Sequence, residues 1–259
     1  MPIKAGIRSV CNLMVVGAIA VITTHPAVAT PVTFAQYFQA DGSQQQWTIS
    51  TSGGTTTVSA SGPVLFAFSA IPGLPISGLV DATFALSATS GQLGDCGTAC
   101  GAGDTFVQHG YTGAFSFLDN DAGAYFGANL LSGTFAVSAN PSLSGAQFSA
   151  HLGSGSGSFD ATTVPGNLDQ VLMTSLFLDL SNQDQQDASW SLSSLIPDFA
   201  VGVVNAGRSY PSGPFTAAGA GTFSSSPGPT ADVPEPNTLN LIGVGILGFI
   251  ARRKRPVQR

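Results

Sequence analysis

Residues 46–59 read QWTISTSGGTTTVS. Gln46-Trp47-Thr48-Ile49-Ser50 alternates, Gly53-Gly54 interrupts, and Thr55-Thr56-Thr57-Val58-Ser59 resumes the alternation. A period of two puts every second side chain on one face of a strand. Two such runs across a Gly-Gly pair predict a β-hairpin, because the tight hairpin turn wants positive φ at its central residues.

The same period dominates the chain outward from this point. Val64 to Ser69 follows with Phe66 and Phe68 on one face, and Ala82 to Ala88 with Phe84 and Leu86. Tyr111 to Leu118 places Phe115 and Phe117 together. Leu130 to Val137, Ala146 to Leu152, Trp190 to Leu195, Phe199 to Val204 and Phe215 to Phe223 read as further strands. Pro72-Gly73 and Pro75, the Asp119–Gly123 segment, Gly153–Ser158 and Asn182–Asp187 read as turns, and Gly91–Gly103 as a loop. Val171 to Leu180 carries the strongest core signal. Leu172, Leu176, Leu178 and Leu180 share one face and Met173, Phe177 and Asp179 the other, which predicts a central strand apolar on both sides. Gly113-Ala114-Phe115, Gly133-Thr134-Phe135, Gly157-Ser158-Phe159 and Gly221-Thr222-Phe223 repeat a loose pattern at irregular spacing, as expected of strands that begin after glycine turns. Roughly ten to twelve short strands with Gly and Pro turns predict an all-β domain, an antiparallel β-sandwich or jelly roll.

Charge narrows the function. The 259-residue chain has a formal net charge of −6, but its cations sit at its ends. Between Thr30 and Asp232 the only cation is Arg208, and every acid in that span is Asp. Such a domain lacks the Lys and Arg that nucleic-acid binding sets against phosphates.

The first 29 residues have the zones of a secretory signal, a predicted helix that is removed on export. Lys4 and Arg8 form the charged zone, Val10 to Ile22 the apolar zone, and Ala27-Val28-Ala29 the small-x-small cleavage site, with Thr30 as the first mature residue. The expected organisation is a signal peptide over 1–29, the β-domain over 30–223, a Ser/Pro/Gly linker over 224–232 and a sorting tail over 233–259.

Catalytic constellations are sparse. His109 and His151 are the only histidines of the mature span, and no G-x-S-x-G accompanies them. Thirteen Asp residues make some spatial pair nearly certain, and several stand beside turn formers, so an Asp pair for glycoside hydrolysis is an unspecific signal. Asp119-Asn120-Asp121, and Asp95 with Asp104, offer oxygen ligands for a cation, but the full EF-hand spacing is absent. Cys96 and Cys100 read as a disulfide closing a small loop, with metal binding as the minor alternative. Trp47, Tyr37, Tyr111, Tyr125 and Trp190 are candidates for sugar stacking if exposed, and for the core otherwise. The expectation is a non-enzymatic protein with no catalytic residue, no metal and no cofactor.

The tail carries the sharpest signal. Val233-Pro234-Glu235-Pro236 is followed by an apolar run, Leu239 to Ala251, broken only by Asn240, and then by Arg252-Arg253-Lys254-Arg255. Thirteen residues of helix rise about 20 Å, short of a bilayer core, but a basic cluster after an apolar run is a stop-transfer signal. A single transmembrane helix over 239–251 is the expectation. Order and spacing resemble the PEP-CTERM sorting-signal family of Gram-negative, biofilm-forming bacteria, a tail also labelled an ice-binding protein C-terminal domain. The resemblance rests on Val233–Pro236, the Gly243–Gly248 run and Arg252–Arg255; Asn237-Thr238 and Asn240 are more polar than the family pattern. It implies recognition by exosortase, a membrane-embedded cysteine transpeptidase, at or near Pro234-Glu235-Pro236. It further implies transient anchoring, removal of the tail and delivery to the cell surface or exopolysaccharide matrix. A carbohydrate- or ice-binding module and a secreted glycan-active hydrolase are the alternatives for the domain itself.

Overall fold

The computed structural model describes residues 30–231, apart from 70, 98, 137–145, 164–170, 184 and 206. Among the described residues all regular structure is strand and none is helix. The signal segment and the apolar helix expected over 239–251 lie outside them, and no described helix is long and apolar enough to cross a membrane. In chain order the strands are β1 (Val32–Gln39), β2 (Trp47–Ser52), β3 (Thr55–Phe68), β4 (Val80–Ser90), β5 (Gly94–Asp95) and β6 (Thr105–His109). They continue with β7 (Thr112–Asp119), β8 (Asn129–Phe135), β9 (Ala146–His151), β10 (Ser156–Thr162), β11 (Val171–Thr174) and β12 (Leu178–Asp179). The last are β13 (Gln185–Ile196), β14 (Val201–Asn205), β15 (Arg208–Pro211), β16 (Phe215–Ser226) and β17 (Thr230–Ala231).

The 46–59 stretch folds as read. β2 and β3 pair from Trp47↔Ala60 to Ser52↔Thr55, and Gly53 and Gly54 take φ of 59° and 81° in the turn. β3 then runs on through Gly62-Pro63 and changes partner, pairing with β1 from Val64↔Gln39 to Phe68↔Ala35. β16 does the same on the other side, meeting β2 at Phe215–Ala217 and β1 at Gly221–Ser225. β1 and β2 therefore share one lane between β3 and β16. At the gap between them, the Gln46 side-chain Nε2 donates to Pro63 O at 2.7 Å and Ser61 N donates to Gln46 O at 3.2 Å. Pro63 has no N–H to leave unpaired there, which is why a proline is tolerated inside a strand.

Fifteen strands form one sheet, and β12 with β17 forms a two-stranded one. From the shared lane one wing leads outward through β4, β7 and β8 to β11; the other leads through β13, β10, β9, β6, β5 and β15 to β14. The wings face each other. Phe117 of β7 meets Phe223 of β16 with ring centroids 5.4 Å apart, Phe115 meets Trp190 of β13 at 5.3 Å, and Phe135 of β8 meets Phe159 of β10 at 5.7 Å. These rings are buried, and each contributes about 1.5–3 kcal/mol by leaving water. β4 shows the cause most simply: from Val80 to Ser90 burial alternates at every residue, so its apolar set fills the space between the wings.

Several boundaries differ from the sequence reading. Val171–Leu180 is not one central strand. β11 is the sheet's outer edge, paired only with β8, and Leu172 and Leu176 are exposed. The break comes at Ser175, whose Oγ donates to Leu130 O at 2.7 Å and accepts the Phe177 N–H at 3.0 Å, resetting the alternation. β10 begins at Ser156 and β13 at Gln185, inside stretches read as turns. The stretch read as a linker from residue 224 is taken up at both ends, into β16 as far as Ser226 and into β17. β1, β6 and β15 carry no strong alternation and were not expected as separate strands.

Candidate functional site

The chain leaves the described domain at β17, and the site is built around that exit. β16 carries the chain to Ser226; the Ser225 hydroxyl, buried, donates to Pro227 O at 3.0 Å and shapes the turn away from the sheet. Thr230 and Ala231 then pair antiparallel with Asp179 and Leu178 of β12. A Cβ on Gly73 would stand 3.8 Å from the Ala231 Cβ, and one on Gly228 would stand 3.5 Å from the Val32 Cβ. The last residues of the domain thus lie against β12, the Pro72-Gly73 turn and the start of β1.

β12 is a firm support. Phe177, Leu178 and Leu180 are buried, and the Phe177 ring packs on Tyr125 and Phe68 with centroids 5.1 and 6.2 Å away. Asp179 Oδ1 accepts from Ser181 Oγ at 2.6 Å and from Ser181 N at 2.9 Å, which holds its carboxyl below the usual carboxylate range. Between β11 and β12 lies an open cleft of about 390 Å³, lined among others by Leu172, Thr174, Leu178, Asp179 and Gln186.

Both ends of the described domain emerge here, because β1 starts where β16 finishes, at Val32↔Ser225. Exposed large apolar residues gather at the same end: Val32, Leu79 before β4, Leu118 at the end of β7, Phe126 in the turn that follows and Leu176 after β11.

The other residues singled out in the sequence do not assemble into one site. Cys96 and Cys100 are joined by a disulfide with Cα atoms 5.1 Å apart, and each Sγ lies 3.6 Å from the Ser209 hydroxyl of β15. The acids serve their own turns: Asp95 Oδ1 accepts from Gly97 N at 2.7 Å, Asp104 Oδ2 from Gly101 N at 2.7 Å, and Asp119 Oδ1 from Asp121 N at 2.8 Å. Among the described residues no three His, Cys, Asp or Glu side chains come together as metal ligands would. His109 and His151 stand at opposite ends of the β6–β9 ladder, across from Gln147 and Thr105.

The aromatic candidates take the core alternative. Trp47, Trp190, Tyr37 and Tyr111 are fully buried, and Tyr125 is half-buried against Phe177. Burial pushes the Tyr37 and Tyr111 phenols above their usual range. Their rings complete the space between the wings and are shut off from any glycan.

Directly beyond Ala231, residues 232–255 match a family model described as the PEP-CTERM protein-sorting motif. The chain carries a PEP-CTERM sorting motif. Thus the exit strand β17 and the motif are consecutive in the chain. The PEP-CTERM motif marks an exported protein, sorted by exosortase to the surface or the exterior. No curated protein and no solved structure matches the chain. The sorting residues Val233, Pro234, Glu235, Pro236 and Arg252 to Arg255 lie outside the described residues, as do Ala27 and Ala29 of the expected signal cleavage site; Thr30 is the first described residue and is exposed. The β17 pairing escaped the sequence reading because a two-residue Thr-Ala strand preceded by Pro227 and Pro229 has no local signature.

Proposed function

We propose that the mature domain is a non-enzymatic structural protein of the cell surface or exopolysaccharide matrix of a Gram-negative bacterium. We read its folded sheet as a jelly-roll-like sandwich that travels with a temporary tail. The observation that carries this reading is the junction itself: the sorting motif follows the all-β domain without an intervening segment. The helix over 239–251 holds the precursor in the membrane after the signal is cut before Thr30. Exosortase then acts at or near Pro234-Glu235-Pro236. A cysteine transpeptidase breaks a peptide C–N bond there, forms a thioester to its own sulfur and releases the tail as an amine; an acceptor nucleophile then takes the acyl group and returns the thiol. Acids committed to turns and histidines held apart support a domain without catalysis. Mass spectrometry of the protein from its native host tests the proposal. A C-terminus near Pro234 is expected, and an intact Arg259 would overturn it in favour of a permanent anchor. Glycan-array binding by residues 30–231 tests the matrix role.

A second reading is favoured by one observation. On the outer face of the first wing Thr57, Thr89 and Thr112 stand side by side on β3, β4 and β7, and Thr48, Ser59, Ser87, Ala114 and Thr134 form the next row. Adjacent strands lie about 4.8 Å apart, so the methyl and hydroxyl groups form a regular, uncharged lattice of the kind an ice-binding face needs. Thermal hysteresis by residues 30–231, abolished by Thr89→Lys, is the expected result on this reading; its absence in the unsubstituted domain removes it.

A further inference from the structure

We propose that β17 is a strap, and that Thr230 and Ala231 must leave β12 before the sorting motif is cut. The inference rests on the processing reading above. The motif begins at residue 232, one position after the strand ends. From Ala231 to Pro234 is three residues, about 10 Å even when fully extended. An enzyme that cuts a peptide takes it as an extended segment and bonds its backbone on both sides of the scissile bond. With β17 in place, one backbone edge of Thr230 and Ala231 is already spent on Asp179 and Leu178, within that reach of Pro234 along the chain.

The two partners are unequal, which decides the one that moves. β12 is carried by buried Phe177, Leu178 and Leu180, whereas Thr230 is exposed and Ala231 only half-buried. A two-residue ladder at the edge of the domain opens far more readily than the core strands beneath it. Strap opening therefore sets how fast the folded domain presents its motif, without any contact to the reacting atoms.

The test uses the full chain in its native host and follows conversion of precursor to cut protein. Leu178→Cys with Ala231→Cys places two thiols at paired positions. With the new disulfide verified under non-reducing conditions, conversion is expected to slow about tenfold or more, while the Ala231→Cys variant alone converts like wild type. Insertion of ten Gly/Ser residues after Ala231 in the locked variant restores conversion, and the same insertion in the wild-type background speeds it several-fold. Conversion of the locked variant at the wild-type rate overturns the strap. So does a locked variant that the insertion fails to rescue, or an insertion with no effect in the wild-type background. A wild-type chain that keeps its tail overturns the sorting reading instead, and that failure is visible without any cysteine.

Discussion

The buried side chain of Gln186 on β13 holds the backbone of Met173 on β11: its Oε1 accepts the Met173 N–H at 2.5 Å. Its Nε2 donates to Leu180 O at 3.2 Å, so one amide ties the edge of the first wing, the approach from β12 and a central strand of the second wing together. It does so with hydrogen bonds where, among the described residues, neither backbone group has a strand partner on that side.

Gln186→Leu is therefore expected to destabilise the domain by about 2–4 kcal/mol, because a buried N–H and a buried carbonyl both lose their partner. Urea unfolding of residues 30–231 measures it. A loss below about 0.5 kcal/mol would show that water or backbone adjustment replaces the amide.

Close packing across the first wing gives a second prediction. A Cβ on Gly113 of β7 would stand 2.1 Å from Ser87 O and 2.7 Å from the Ala88 Cα, both backbone atoms that cannot swing aside. Gly113→Ala should cost about 3 kcal/mol by forcing β4 and β7 apart. Gly123→Ala, in open space within a turn, should change stability by less than about 0.5 kcal/mol. Thermal unfolding of the pair compares them directly, and equal melting temperatures would contradict the close contact.

The Cys96–Cys100 bond spans a sequence separation of 4. Closing so small a loop restricts the unfolded chain only modestly, so replacing both with Ser should cost about 2 kcal/mol and leave the fold intact. Circular dichroism and denaturant titration in the absence of reductant test this. A double variant that cannot fold would show that the loop depends on the bond for its native geometry.

His109 supplies a pH dependence. Partial burial lowers its pKa from the usual 6.5, so the folded domain binds this proton less tightly than the unfolded chain does. Its contribution to stability is then fully present above 6.5 and is lost as pH falls through the lower folded value. Stability should decline on acidification from neutral pH, with a part of that decline removed by His109→Gln. An NMR titration midpoint at or above 6.5 for His109 would contradict the assignment.

Much of the fold was legible in short stretches. Val80–Ser90 announces its inner and outer faces by alternation, and the Gly53-Gly54 turn sets the β2–β3 register. What misled was Val171–Leu180. An apolar run of that length reads as a buried central strand, yet Ser175 interrupts the pleat and the segment closes the sheet's edge. Trp47 and Tyr37 were open to either reading, since an aromatic ring looks the same in sequence whether it faces a sugar or Phe84, which lies 5.7 and 4.9 Å from them.

By itself the sequence determined the all-β class, the near absence of cations between Thr30 and Asp232, and the sorting motif, because each is written in local composition, period or spacing. Only the tertiary structure decided that β1 and β2 share one lane, that β11 is an edge and that the last two described residues are strapped to β12 beside the motif. Those outcomes depend on which distant strands pair. Pairing is settled by backbone hydrogen bonds and by the fit of buried rings between the wings, and neither leaves a mark in the residues immediately around the strand concerned.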